Sequence, residues 1–394
     1  MRPGWRWLAA ACGVLAAAGL ASAQPVQVRF EADLRTEATD GRFDPARDRV
    51  ELRGGWAPLS WQQGLPLQPL ADGRWAATVT FARRPAGGQP VPHKFRVVRA
   101  GQGPDDGWEP GANHAAMLEG AAPAVARVFG TPAAPAPSRL TGTILTLEPL
   151  PAGHPLARPV QVWLPPGYDQ DTQRRYPVLY LHDGQNMFDA RAAGAEWQVD
   201  EAAQRGVLDG SIAPFIAVAV PSGRDRITEL TPTPGGRGGG GLPAYGRWLL
   251  DGLKPAIDQR LRTRPEPAAT AVGGSSLGGI ASLWLALHRA DVVGAALVVS
   301  PSVWWDGFLP RRDVLASLPP APRPRLWLDM GAHEGEGIFT ESRALRDALR
   351  AQGWAGTNLA YLEDPEGRHD ELSWAGRVDG MLKFLFPPTP ENRP

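Results

Sequence analysis

The stretch TAVGGSSLGGI (270–280) sets two adjacent serines among glycines, between an apolar strand-like run and a helical one. A serine there can act as a nucleophile if a base takes its proton and backbone N–H groups hold the developing oxyanion. The pattern G-x-S-x-G puts that serine on a sharp strand-to-helix turn, with glycines two before and two after to avoid clashes. Register selects Ser276. Gly274 and Gly278 flank it correctly, whereas Ser275 would need a glycine where Leu277 stands. A plain glycine-rich turn has the same letters, so the reading depends on an acid and a base elsewhere.

In a fold built around such a turn, the acid and then the base follow the serine along the chain. The run RLWLDMGA passes through Gly331, and Glu334, three residues on, holds a loop position from which a carboxylate can reach the site. Glu336 is the near alternative, and Asp329 lies inside the run. His369 sits in a loop, within EDPEGRHDELSWAGRV, ahead of a C-terminal helical stretch. Of the other histidines, His182 precedes the serine, His333 adjoins the acid, and His288 falls in the helix after the turn. Only His369 fits by both order and loop position. One oxyanion donor is expected from the Leu277 amide. The other is expected from LHDGQNMFD, where Gly184 lets the backbone turn in and Gln185 supplies the N–H.

These groups need a scaffold. From Leu140 onward, buried-strand runs (YPVLYLHD, FIAVAVPS, ATAVGG, AALVVSPS) alternate with helical stretches such as GLPAYGRWLLDGLKPAIDQRL and TESRALRDALRAQG. That order predicts an α/β fold over 140–394: a mostly parallel sheet covered by helices on both faces, in three layers. The glycine run 235–241 reads as a surface loop. Residues 24–129 read as all-β, with short runs (VQVRFEADL, RVELRGGW, RWAATVTF, HKFRVVRA) separated by Gly, Pro and Asp. They predict a small antiparallel, immunoglobulin-like sandwich. GTPAAPAPSR (130–139) is a Pro/Ala linker.

Residues 1–23 have the form of a secretory signal: Arg2 and Arg6, an Ala/Leu-rich run, then Ala21-Ser22-Ala23 ahead of Gln24. Cleavage there predicts a periplasmic or secreted protein with no membrane anchor, and removes Cys12, the chain's one cysteine. Stability then cannot rest on disulfides. Charge is balanced, 41 basic against 41 acidic side chains, which argues against a nucleic-acid partner. Fifteen tryptophans hint at sugar or aromatic ligands.

Together, VWLPPGYD, YPVLYLHDGQNMFD, EWQVDE, DRITELTPT, GGSSLGGIASLWLAL, SPSVWW and GRHDELSW resemble, in order, the putative-esterase (esterase D-like) family of α/β-hydrolases, over about 140–386. That family includes feruloyl and acetyl-xylan esterases, enterochelin esterases and mycolyltransferases. The resemblance implies a metal-free, cofactor-free triad of Ser276, Glu334 and His369. It places Arg226 and Glu229 at the substrate cleft, or in a structural ion pair. Trp304 and Trp305 could line the acyl pocket, and Trp305 is assigned the stacking role. The front domain is similar to starch-binding-like sandwiches, which implies a sugar platform of Trp61, Lys94, Trp108 and Asn113. The expected function is hydrolysis of carbohydrate-linked or aryl and short-acyl esters. A siderophore trilactone esterase and a non-catalytic glycan-binding protein are the alternatives.

Overall fold

A computed structural model describes residues 25–85, 88–103, 106–111, 113–118, 124–132, 139–191, 194–236, 238–316 and 322–388. The signal segment 1–23 and most of the Pro/Ala linker lie outside the described residues.

The C-terminal domain is organised on eight strands: β1 Thr143–Leu147, β2 Val160–Leu164, β3 Val178–His182, β4 Ile216–Val220, β5 Thr270–Ser276, β6 Ala295–Pro301, β7 Arg325–Gly331 and β8 Leu359–Asp364. They pair in the order β8-β7-β6-β5-β3-β4-β2-β1. β3 to β8 run parallel, and β1 and β2 pair antiparallel at one edge. The central strands are apolar throughout because both faces are covered. Val178 and Tyr180 point into one core, with Val218, Val272, Val298 and Leu328, under helices Leu277–His288 and Glu336–Ala351. Leu179 and Leu181 point into the other, with Ala217, Ala219, Leu297 and Trp327, under helices Val199–Leu208 and Val378–Leu385. The helical stretch 242–260 widens to a π turn over Trp248–Leu253, immediately ahead of Pro255. Proline has no N–H to give and crowds the carbonyl four residues back, so a wider turn relieves both.

The front domain packs two four-stranded sheets over one core of residues such as Val28, Phe30, Phe81, Leu52 and Phe95. The first sheet orders Gln68–Pro69, Arg74–Phe81, Val26–Asp33 and Ala124–Val128; the second orders Leu65–Pro66, Arg49–Gly54, Val91–Val98 and His114–Ala116. The pairing departs from the antiparallel expectation at one place. Ala124–Val128 runs parallel to Val26–Asp33, which brings the last strand in along the first. The two domains touch through polar contacts. Gln89 accepts the Glu196 backbone N–H at 3.1 Å in a buried position, and Arg83 pairs with Glu366 at 3.1 Å on the surface.

Candidate active site

Strand β5 ends at Ser276, which has φ 58° and ψ −118° before the helix Leu277–His288 begins. For a non-glycine residue this backbone is strained, and it projects the side chain from the corner of the turn. The flanking glycines are crowded. A Cβ on Gly274 would lie 3.1 Å from both the Gly278 backbone and the His182 Cβ, and one on Gly278 would lie 3.3 Å from that same Cβ. Ser275 is buried in the strand, opposite Val299.

Glu334 and His369 meet: His369 Nδ1 and Glu334 Oε2 are 2.6 Å apart. Oε1 of the same carboxylate accepts from the Ser300 hydroxyl at 2.6 Å and the Gly331 N–H at 2.7 Å. Burial opposes ionisation of Glu334, but the bonds from His369, Ser300 and Gly331 together outweigh it, holding its pKa below the usual carboxylate value. Glu336 is exposed at the start of a helix. Asp329 is fully buried, bound by Arg377 at 3.2 Å and by the Trp327 indole at 2.7 Å. His182 is sealed under the elbow, 2.9 Å from the Tyr245 hydroxyl, and burial pushes its pKa down to about 4.

Several participants were not singled out from sequence. Ser300 receives the Trp374 indole N–H at 2.9 Å and the Arg377 guanidinium at 3.1 Å, so a buried chain of donors stands behind the carboxylate. Trp374 also sets its ring edge-on against His369, with centroids 5.2 Å apart. Ser302 Oγ lies 3.1 Å from Ser276 Oγ, and no hydrogen bond joins Ser276 to His369. Such contacts commonly tighten only when substrate arrives. The serines of SPS (300–302) at the end of β6 were the one signal available for this pair.

The expected oxyanion residues sit at the carboxyl end of the sheet. Leu277 is the first residue of its helix, where an N–H has no intrahelical acceptor. Gly184 passes so close to β4 that a Cβ would come 2.3 Å from Ala219 C and Val220 N, so only glycine fits. Gln185 is pinned to the loop after β4, giving a hydrogen bond to Ser222 Oγ at 3.1 Å and taking the Ser222 N–H at 3.0 Å. Arg226 grips Asp183, one residue before Gly184, through two bonds of 2.7 Å. Glu229 instead holds Arg158 at 2.7 and 2.9 Å and the Gly223 N–H at 2.9 Å. Each therefore has an ion pair, but not with the other.

Trp305 departs from its assigned stacking role. It is 3% exposed and packs against Gly235 and Gly239, with its indole N–H 3.3 Å from Thr233 O. Trp304 is the exposed ring, at 49%. In the front domain, Trp61 and Trp108 lie 6.3 Å apart, and Arg53 and Arg96 sit over the Trp108 ring at 5.9 and 5.6 Å. Lys94 donates to Gly111 O at 2.5 Å, and Asn113 lies against Gly194 of the C-terminal domain. The platform residues are thus neighbours only in part, and guanidinium groups already cover Trp108.

Among the described residues one acidic trio, Glu196, Asp200 and Glu201, brings carboxylate oxygens within 4.8 Å of one another. Burial raises Glu196 to about 8 and Asp200 to about 9, which keeps both protonated at neutral pH, and Asp200 accepts the Thr141 N–H at 2.6 Å. Asp200 thereby ties the helix Val199–Leu208 to the segment leading into β1.

Comparison with known proteins agrees with this architecture. Residues 155–385 match the family described as "Putative esterase". An endo-1,4-beta-xylanase/feruloyl esterase of Xylanibacter ruminicola is 26% identical over 233 residues, 57% of this chain but 29% of that protein. An iron(III) enterobactin esterase of Dickeya dadantii is 24% identical over 249 residues, 59% of this chain and 53% of that protein. An enterobactin esterase structure from Shigella flexneri superimposes with a TM-score of 0.60 at 16% identity, covering 92% of this chain and 93% of that one, which shows a shared fold. Because the family match spans more than half of the chain, the protein belongs to the Putative esterase family, while spanning only part of the length of these two curated relatives.

Proposed function

We propose that the protein hydrolyses carboxylic esters through a covalent acyl-enzyme, with Ser276 as nucleophile, His369 as base and Glu334 as the acid that orients it. The observation that carries this reading is the 2.6 Å Glu334–His369 pair at the same end of the sheet as the strained Ser276. Glu334 on Nδ1 fixes the tautomer that leaves Nε2 as the acceptor. His369 takes the Ser276 proton as Oγ bonds to the acyl carbon, and the carbonyl electrons move to an oxyanion facing the Leu277 and Gln185 amides. Collapse expels the alcohol, which takes the proton from His369. Water then repeats the sequence and releases the acid. Ser302 holds the resting hydroxyl until substrate arrives.

The substrate class best supported is an aryl or short-acyl ester of a carbohydrate or other bulky alcohol. The exposed Trp304, two residues beyond Ser302, offers a flat apolar surface near the nucleophile. The signal-like segment 1–23 supports a periplasmic or secreted setting. A sugar platform at Trp61, Lys94, Trp108 and Asn113 is the weaker element, since Arg53 and Arg96 already occupy Trp108. A siderophore trilactone is the second reading. It is favoured by the superposition on an enterobactin esterase across both domains. Ser276→Ala tests the core proposal. It should abolish both labelling by a fluorophosphonate probe and turnover of p-nitrophenyl acetate, with Ser275→Ala retaining both. Activity in Ser276→Ala would overturn it. Side-by-side assay of methyl ferulate, acetylated xylan and a catecholate trilactone decides between the substrate readings.

A further inference from the structure

Beside the loop that carries His369, the two domains enclose a cleft of about 120 Å³. Trp56 and Arg83 line it from the sandwich, and His333, Glu366, Arg368 and Ser373 from the hydrolase domain. None of the six takes part in the proposed chemistry, yet His333 adjoins Glu334 and Arg368 adjoins His369.

The charges there are unevenly matched. Arg83 lies over the Trp56 ring at 5.7 Å and pairs with Glu366 at 3.1 Å, through side chains 56% and 65% exposed. A pair so open to water is held weakly, so a competing carboxylate can displace it at little cost. The Arg368 guanidinium, half-buried, makes no hydrogen bond or ion pair among the described residues, and it lies close enough to Asp370 to attract that carboxylate. The Ser373 hydroxyl, which accepts the Arg368 backbone N–H at 3.0 Å, still has its own hydrogen to donate. An unpaired guanidinium, a second one easily released, a hydroxyl donor and an indole together suit a negatively charged group carried on a ring.

We propose that this inter-domain cleft binds a carboxylate-bearing ring, of the uronic acid type, with Arg368 and Arg83 taking the carboxylate and Trp56 the ring. The carboxylate could belong to the far end of the ester substrate or to a free acid acting beside it. The substrate arm rests on the hydrolase reading above; binding itself does not.

The probe is D-glucuronate, with D-glucose as its neutral counterpart, titrated by calorimetry into the full chain carrying Ser276→Ala so that no turnover intervenes. Glucuronate should bind and glucose should not. Adding Arg368→Gln, or separately Trp56→Ala from the other domain, should weaken glucuronate at least tenfold, while thermal unfolding confirms that each variant is folded. Equal binding of the two sugars, no binding of either, or undiminished affinity in both variants would overturn the proposal. In the wild-type enzyme, glucuronate that competes only against a carboxylated ester marks the cleft as part of the substrate site. Glucuronate that changes the rate on p-nitrophenyl acetate marks it as an effector site. Binding without any ester turnover in the wild type would leave the cleft standing and remove the hydrolase reading alone.

Discussion

Each domain contains a histidine facing a glutamate, and the two pairs differ in what surrounds them. In the sandwich, His114 Nε2 lies 3.0 Å from Glu109 Oε2, with side chains 2% and 0% exposed. Glu109 also accepts the Phe95 and Gly130 backbone N–H groups, and the His114 ring packs on His93. In the hydrolase domain, His369 Nδ1 lies 2.6 Å from Glu334 Oε2, and the imidazole is 39% exposed while the carboxylate is 1% exposed. Both carboxylates are buried and accept backbone N–H groups, but only Glu334 is hydrogen-bonded to its histidine; His114 Nε2 faces Glu109 without a hydrogen bond. The imidazoles differ too. One is closed in on both sides and can only hold the core together; the other keeps an open side near a strained serine. In the proposed chemistry, what sets the His369 pair apart is the hydrogen bond to Glu334 together with the access of its second nitrogen.

The largest expected effect comes from exchanging the fates of the two histidines. His369→Ala should lower kcat by several orders of magnitude, up to the ~10⁶-fold seen when triad members are removed elsewhere, with thermal stability nearly unchanged. His114→Phe should leave kcat for p-nitrophenyl acetate within a few-fold while lowering the unfolding midpoint, because it strips Glu109 of a buried partner. A dead His114→Phe enzyme that remains folded would break the comparison.

The next effect separates orientation from proximity. Glu334→Gln keeps the shape but no longer favours the required imidazole tautomer, so kcat should fall about 10³–10⁴-fold. Glu336→Gln should leave steady-state kinetics unchanged, since that side chain is exposed at a helix start. Equal losses in the two variants would remove Glu334 from its role.

The sandwich should also reveal its sealed His93 through pH. Burial holds His93 down to about 3, with smaller repulsion from His114 and Arg127, whereas an unfolded histidine titrates near about 6.5. Between those values the unfolded chain binds a proton that the folded chain refuses. This contribution to stability is therefore complete above about 6.5 and is lost progressively as pH falls toward 3. At pH 4.5 the loss amounts to roughly 2–3 kcal/mol. His93→Phe, whose ring would face Phe30 and Phe95, should show a shallower acid dependence in urea unfolding of the full chain. An unchanged slope would mean that His93 does not carry the effect.

What the sequence revealed follows from what is local. The elbow could be read because its glycines answer to a turn of five residues, and the spacing around Ser276 is itself the steric requirement. The central strands could be read because burial on both faces leaves them uniformly apolar. Strand β8, LAYLED, is only half-buried at the sheet edge and shows neither an apolar run nor clean alternation. The choice between Glu334 and Glu336 was not local. It depends on the loop after β7 lying against the His369 loop, where a Cβ on Gly331 would come 2.4 Å from the Gly367 backbone. The donors behind Glu334 come from far along the chain: Ser300 meets Trp374 and Arg377 across 74 and 77 residues. No spacing rule links such positions. The same holds for Trp304 and Trp305, where neighbours of one type take opposite sides of the chain and only the packing decides which.

Of that pair, Trp304 gives the smallest effect and the sharpest test of the acyl side. Trp305 fills the space between Thr233, Gly235 and Gly239 and the core, so Trp305→Ala should cost about 3–5 kcal/mol of stability and lower activity on every ester together. Trp304, 49% exposed beside the nucleophile's loop, has little packing to lose. If an aryl acyl group stacks on it, the gain is about 0.5–1.5 kcal/mol beyond its buried area. Trp304→Ala should then lower kcat/KM for methyl ferulate several-fold relative to methyl acetate, with the unfolding midpoint unchanged. The ratio is the proper readout, because a general disturbance of the elbow would depress both esters alike. A ratio unmoved in Trp304→Ala but altered in a folded Trp305→Phe enzyme would return the acyl pocket to Trp305, despite its burial.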